Sequence, residues 1–383
     1  MGQPTRLIYY YWRSMQMKRL GWILVLLMLA SPAWPANNKI TVQQLKDLLV
    51  SMKQSNKTDE EVSTRLKDID LSEELTAAVK SDLMFTSAGP LTSEQICVLE
   101  ARSSMLAPPP SDLPSDAAPD AAAQKAILDK AISFAAKNDE QNPRLTAMKV
   151  VAHYGHINTF NRWGSAGANQ QVVGLNREQS DGWSMSLTSR YTETVEINQG
   201  VEKVTASTAD QKLTHVSPIA ENSTRPALSL ILRKADEGGK IHWLRWETIA
   251  GVKTAVFSYE VDKKNVLYSV EYCCFPAHGN ANWEPFKKAV GLRGEFFVNP
   301  DTGTTLRLVM HAELDSSDFV EREDTRIDYG TATIDGNTYV VPVGSFTQTE
   351  VNAGGDSSKG MIQRRTLLVT GYANFSLAGA AQK

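Results

Sequence analysis

Apolar residues recur at helical spacing between residues 40 and 106. Val42, Leu45, Leu48 and Leu49 form one set, Val62, Leu66 and Ile69 a second, and Ile96, Leu99 and Met105 a third, each with polar residues between. Ahead of each set stands a threonine with glutamine or glutamate three positions later: Thr41 with Gln44, Thr58 with Glu61, Thr92 with Gln95. In such a capping box the threonine oxygen accepts a free backbone N–H and the later side chain reciprocates. The spacing predicts three or four short amphipathic helices over 40–106. Helices this short need a partner surface, so they should pack on each other or on the β-rich part of the chain.

Pro108-Pro109-Pro110 ends that segment, and residues 107–121, rich in Pro, Ser, Asp and Ala, read as a linker or exposed loop. A further helix is expected over about 119–137, with Ala126, Ile127, Ile132 and Phe134 as its apolar bulk. From about 147 the period becomes two. Trp183, Met185, Leu187, Ser189 and Tyr191 alternate with Ser184, Ser186, Thr188 and Arg190. Similar strands are expected over Thr254–Val261, Val266–Tyr272, Gly294–Val298, Thr304–Glu313, Glu321–Tyr329 and Thr366–Phe375. Pro300-Asp301-Thr302-Gly303 marks a turn. Asp335-Gly336 marks a tight hairpin between Thr331–Ile334 and Thr338–Val341, because both central positions need positive φ. Ser223–Ala235, with Leu228, Leu230, Ile231 and Leu232, fits both strand alternation and helical spacing, and is read as a helix laid across the sheet. The predicted class is α+β: a short N-terminal helical segment, then residues 122–383 as a mostly antiparallel curved β-sheet with a packed helix.

Composition adds two limits. With 383 residues, 42% of them hydrophobic, the chain can bury a real core. A net charge of -3 gives no electrostatic case for nucleic acid as a partner.

Residues 1–36 read as an export signal. Lys18 and Arg19 precede an apolar run, Leu20–Ala30, which is well short of the about 20 residues that span a bilayer. Ser31 and Ala33 fit the small-residue positions for cleavage after Ala33. Cleavage after Ala36 would place Trp34 where a small side chain is preferred. The aromatic run Tyr9-Tyr10-Tyr11-Trp12 is foreign to a signal opening, and Met17 makes the better start. The expected location is the periplasm or the exterior, with an uncleaved, membrane-anchored form as the alternative. No cysteine follows the run, so a lipoprotein-type attachment lacks its residue.

Candidate chemistry is sparse. Three cysteines occur in an exported chain, where thiols can oxidise. Cys273 and Cys274 are adjacent, so one could bridge to Cys97 while the other stays free, or the two could form a strained vicinal bridge. There is no C-x-x-C spacing. His153 and His156 lie three apart and His215, His242, His278 and His311 are scattered, without H-E-x-x-H or zinc spacing. A site built on Cys273, Cys274 and His278 would still need a fourth ligand, so no metal and no cofactor is assigned. Glu321, Glu323, Asp324 and Asp328, alternating with Arg322 and Arg326, are expected on a solvated strand face with cross-strand ion pairs. No G-x-S-x-G or P-loop spacing appears, and no catalytic residue is assigned. Trp243 and Trp246 flank Arg245. With Val256, Phe257 and Phe297 they either join the core or line an apolar groove for lipid or peptide.

A resemblance starts at the same place. Trp243-Leu244-Arg245-Trp246-Glu247, the run Gly251–Val261, Tyr272-Cys273-Cys274, Gly294–Asp301, Leu306-Arg307-Leu308, Asp328-Tyr329-Gly330 and Ile334–Val343 together resemble a family of uncharacterised secreted proteins of acidobacteria. The segment around Leu71–Leu75 and the Pro108-Pro109 break are similar too. The resemblance implies export but no activity. Relatives tend to carry cysteine before the hairpin proline, where this chain has Val341 before Pro342, so a bridge from the adjacent cysteines to that position is missing here. At the level of fold, curved antiparallel sheet, covering helix and signal resemble periplasmic lipoprotein-carrier domains, which hold lipid or sense envelope components in the concavity.

The sequence is compatible with three function classes: a non-catalytic binding or structural protein of the bacterial envelope, a periplasmic carrier of lipid or lipoprotein, and a secreted hydrolase with an unrecognised site. The partners implied are lipid, lipoprotein or another envelope protein.

Overall fold

The structure is a computed structural model that describes residues 39–155, 185–212, 220–221, 225–266, 268–276, 283–353 and 362–379. The expected export signal over 1–36 lies outside the described residues, as do His156, His215, His278, Trp183 and Ser184.

Strand β1 (Lys39–Ile40) pairs in parallel with β2 (Asp70–Leu71), and around this pair lie helices α1 (Val42–Gln54), α2 (Asp59–Lys67), α3 (Ala77–Thr86) and α4 (Pro90–Ser103). Two of the three predicted capping boxes form, at Thr41 with Gln44 and at Thr58 with Glu61, each with both reciprocal hydrogen bonds. The third does not. Helix α4 starts two residues before Thr92, with Gly89 at its N-cap and Pro90 in its first turn. Proline at a helix start costs no hydrogen bond, since that N–H has no intrahelical partner. The cap comes from another helix. The Asp59 carboxylate, at the start of α2, accepts from Leu91 N at 3.0 Å and Thr92 N at 2.8 Å. The helices and the segments that join them bury one apolar cluster of their own, including Leu45, Leu66, Ile69, Leu75, Ile96 and Leu99.

A 3₁₀ turn, Pro110–Asp112, comes next, and the chain enters α5 (Ala121–Gln141) through Asp120, whose side chain accepts from Ala123 N. The rest alternates β3 (Leu145–Gly155), β4 (Ser186–Asn198), β5 (Val201–Lys212), β6 (Ala220–Glu221), α6 (Leu228–Glu237), β7 (Ile241–Ile249), β8 (Val252–Val261), β9 (Ser269–Pro276), β10 (Trp283–Ala289), β11 (Leu292–Val298), β12 (Thr305–Ala312), β13 (Val320–Ile334), β14 (Asn337–Ala353) and β15 (Ile362–Leu377). The fold is α+β. Ten strands form one antiparallel sheet in the order β5-β4-β3-β15-β14-β13-β12-β11-β8-β7, and β10-β9-β6 form a small second sheet. The register shifts where β3 meets β4, β7 meets β8, β11 meets β12 and β13 meets β14. Such bulges bend a strand and raise its twist. The Asp335-Gly336 turn is as predicted, with φ of 49° and 81°, and it joins β13 to β14.

The sheet has two covered faces. Helices α5 and α6 lie on the inner one: Ile127, Ala131 and Ala135 of α5 and Ile231, Leu232 and Ala235 of α6 share a cluster with Phe257, Phe296, Leu308 and Met310. The segment 223–235, read as a helix across the sheet, contains α6, and Leu228, Ile231 and Leu232 are buried while Leu230 is half-buried. The helical segment lies on the outer face. Val98 and Ala101 of α4 meet Tyr154 and Leu367, and Met105 meets Val256, Phe297 and Val309.

This second docking overturns the expectation of a solvated acidic face on β13. Asp324 and Arg326 are buried on the outer face and Glu323 is buried as well. Glu74, between β2 and α3, sits between two arginines: Arg326 Nη1 donates to its Oε1 at 2.6 Å and Arg307 Nη1 at 3.2 Å. Arg307 Nε also donates to Asp328 at 2.7 Å. Alternation on a strand cannot tell water from a second covering layer, because both accept charge when the layer supplies opposite charge.

Candidate functional site

The end of α5, the β4–β5 turn, the residues before α6 and the strands β3, β13, β14 and β15 enclose a cavity of about 270 Å³. Its charged groups come from elements far apart in sequence. Lys149 on β3 reaches Glu202 Oε1 on β5 at 2.7 Å and Glu193 on β4 at 3.2 Å. From β15 the Tyr372 hydroxyl donates to Glu202 Oε2 at 2.6 Å. Arg225, which opens the stretch before α6, lines the same space.

The electrostatics show how tightly this group is coupled. Burial acts to lower the Arg225 pKa, but Tyr372, Glu202 and Tyr268 outweigh it and hold the guanidinium above its ordinary value. Burial acts to raise Glu202, and Arg225 with Lys149 and the Tyr372 hydrogen bond hold it below the usual carboxylate value instead. Burial, together with Glu202, raises the Tyr372 phenol, which therefore stays a neutral donor. These are the signatures of charges that stabilise one another away from water.

Asp139 closes one wall. Its Oδ2 accepts from Ser229 N at 3.0 Å, which caps α6, a helix whose own N-cap residue is Ala227. Burial raises its pKa. The β4–β5 turn passes so close that a Cβ on Gly200, at φ +74°, would lie 2.7 Å from Asp139 Oδ1. Glycine is thus required there both for its left-handed backbone and for the close approach. A second space of about 90 Å³ shares Lys149, Val204 and Arg225 and extends to Glu323 and Thr325. Glu323 accepts from the Tyr268 hydroxyl at 2.6 Å.

The apolar residues expected to form a groove are placed differently. Trp243 meets Trp246 edge-on at 4.8 Å and Phe257 at 5.5 Å, and Phe257 stacks on Phe296 at 5.4 Å. These belong to the inner-face core. Val256 and Phe297 belong to the outer-face cluster with Met105. The structure does not bring the five into one groove, because Val256 and Phe257 are neighbours on a strand and point to opposite faces. The guanidinium of Arg307 lies 5.4 Å from the centre of the Phe297 ring.

Cys97 is a free thiol on α4, half-buried, and burial raises its pKa. The suggested bridge from Cys97 is therefore not made: α4 packs on β15, whereas Cys273 and Cys274 lie on β9 of the small sheet. The side chains of that pair lie outside the described residues. Among the described residues no group of three His, Cys, Asp or Glu side chains could hold a metal ion. His311 pairs instead with Asp324 at 2.7 Å, and burial depresses the His153 pKa to about 4.

Sequence reasoning missed Lys149, Glu202, Arg225 and Tyr372. One signal was present: Lys149 interrupts the apolar stretch Ala147–Ala152, on a strand whose neighbours Ala147 and Val151 are buried.

No protein-family model matches this chain, and no curated protein matches it. Among solved structures, the crystal structure of a LolA superfamily protein from Nitrosomonas europaea matches at 11% identity and a TM-score of 0.20, covering 66% of this chain and 92% of that one.

Proposed function

We propose that this protein is an exported, non-catalytic binding protein of the bacterial envelope that holds a small ligand between α5 and the inner face of its sheet. The observation that carries the reading is the cavity of about 270 Å³, built from six or more separate elements and lined by both paired charges and apolar walls. Its charged groups favour binding over catalysis. Glu202 already accepts from Lys149 and Tyr372, and Asp139 serves as the cap of α6. Each of these carboxylates is thus held in place by the fold's own hydrogen bonds. Export rests on the basic pair and short apolar run of residues 18–30. Among the described residues no helix is long and apolar enough to cross a membrane.

A lipid or lipoprotein carrier is the second reading, favoured by a broad antiparallel sheet with helices on its inner face. Against it, Trp243, Trp246 and Phe257 pack on one another and on the inner-face core, so an acyl chain laid there would have to displace them. Native mass spectrometry of the full chain, purified from its own envelope, tests both. A retained small polar mass supports the proposed reading and a retained lipid supports the carrier. A mass that stays clean under gentle ionisation counts against both.

A further inference from the structure

The cavity's lining restricts the chemistry of its ligand. Its charged groups are already engaged: Lys149 with Glu193 and Glu202, Glu202 also with Tyr372, Arg225 with Glu202 and Tyr372, and Asp139 with the Ser229 N–H that it caps. A charged ligand would either break one of these pairs or bring an unpaired charge out of water, and both are costly. The neutral polar groups are different. Thr305, at the start of β12, is 1% exposed and lines the cavity, and its hydroxyl oxygen has no hydrogen-bond partner. Buried hydroxyls rarely go without one, so an orphan beside a cavity points to a group from outside the chain. Asn138 and Asn142 both give an N–H to the same acceptor, Val340 O, at a long 3.4 Å, which commits only one N–H of each amide. Tyr329, half-buried, adds a phenol whose pKa desolvation raises, so that it stays a neutral donor. Phe134 and Ile327 supply apolar wall. The cavity, about 270 Å³, has room for a single sugar ring.

We infer that the cavity takes a neutral, polyhydroxylated ligand the size of one sugar ring, held by Thr305, Tyr329, Asn138 and Asn142 through its hydroxyls and by Phe134 through its C–H face. This rests on the ligand-holding reading above. An acyl chain would leave the hydroxyls and amides unpaired, and an ionised compound would compete with the Lys149–Glu202 pair.

The test is calorimetric titration of the full chain with rings that differ mainly in charge: D-glucose and N-acetyl-D-glucosamine as neutral probes, protonated D-glucosamine as the cation and D-glucuronate as the anion. A neutral ring should bind at least about tenfold more tightly than either charged one. Thr305→Val and Tyr329→Phe should each weaken it about tenfold, the loss of one well-made hydrogen bond. Thr305→Ser should recover most of that affinity, and thermal melts of each variant should show a folded protein. Tighter binding of a charged ring, or binding of none, overturns the inference. If native mass spectrometry retains a different small polar mass while no sugar binds, this inference falls and the binding reading stands. If the mass is clean and no sugar binds, both fall.

Discussion

Glu74 Oε1 and Arg326 Nη1 lie 2.6 Å apart, although 252 residues separate them in sequence. Their side chains are each 4% exposed. The helical segment has its own apolar core, and this ion pair is one of the points that fix it to the outer face of the sheet. Gln348 adds a second by donating to Ala101 O at 2.9 Å and Arg102 O at 3.0 Å. Removing Glu74 leaves Arg326 buried with Asp328 as its remaining carboxylate partner. Glu74→Ala should therefore cost about 3 kcal/mol, as breaking a buried pair does. Arg326→Ala should cost a similar amount, and the double variant much less than the sum of the two. Urea unfolding of the four proteins measures this, and additive losses would show that the pair does not act as a unit.

His153 should give the folded protein an acid-side weakness. The Thr188 hydroxyl donates to His153 O at 2.9 Å, so His153 Nδ1, 2.6 Å from the same hydroxyl, acts as the donor toward it. Nε2 is then the unprotonated nitrogen, buried and without a partner. Burial depresses the pKa to about 4, from an ordinary value near 6.5. Between those values the unfolded chain binds a proton that the folded chain refuses. The neutral imidazole is therefore compatible with full stability above about pH 6.5, and stability falls as pH drops toward 4, by up to about 3 kcal/mol. Glu100, Glu247 and Asp139, raised by burial, work in the opposite sense, because their folded forms take up protons more readily. The His153 contribution is thus the difference between the native chain and His153→Gln, each followed by denaturant midpoint from pH 7.5 to 4.5. Parallel curves would rule it out.

Gly294 on β11 is where two strands and one tyrosine meet. It pairs with Met310 and Tyr259, and the Tyr259 side chain reaches over to donate to Val309 O at 3.0 Å. A Cβ at position 294 would overlap that same carbonyl and lie 3.2 Å from the tyrosine hydroxyl. Gly294→Ala should destabilise by about 3 kcal/mol, the upper part of the range for overpacking, because backbone rather than a flexible side chain must move. Tyr259→Phe should lose about 1 kcal/mol, one buried hydrogen bond. Thermal melts that place the two variants together would mean that the sheet absorbs the extra carbon.

Local signals in this sequence were legible to the extent that a local interaction decides them. Thr41 and Thr58 cap helices because each partner is three residues away and needs nothing else. Thr92 had the same spacing and no such role, since Asp59, 33 residues away, takes its N–H. Asp335-Gly336 forms its turn because few other residue pairs accept two positive φ angles in succession. The candidate site was far less legible. Lys149, Glu193, Glu202 and Tyr372 carry no motif, and nothing in their spacing says that four strands put them within hydrogen-bond reach.

By itself, then, the sequence determined the α+β class, the helix and turn signals, and the inward and outward alternation along each strand, all of which depend on neighbours within a few residues. Tertiary structure alone decided which layer covers each face. That is why the charges of β13 are buried against Glu74 rather than solvated, why Val256 and Phe257 serve different clusters, and why the cavity is lined by paired charges instead of by the tryptophans of an apolar groove. The physical reason is common to all three. Burial of a charge is set by the partner brought to it from elsewhere in the chain, and a one-dimensional pattern does not contain that partner.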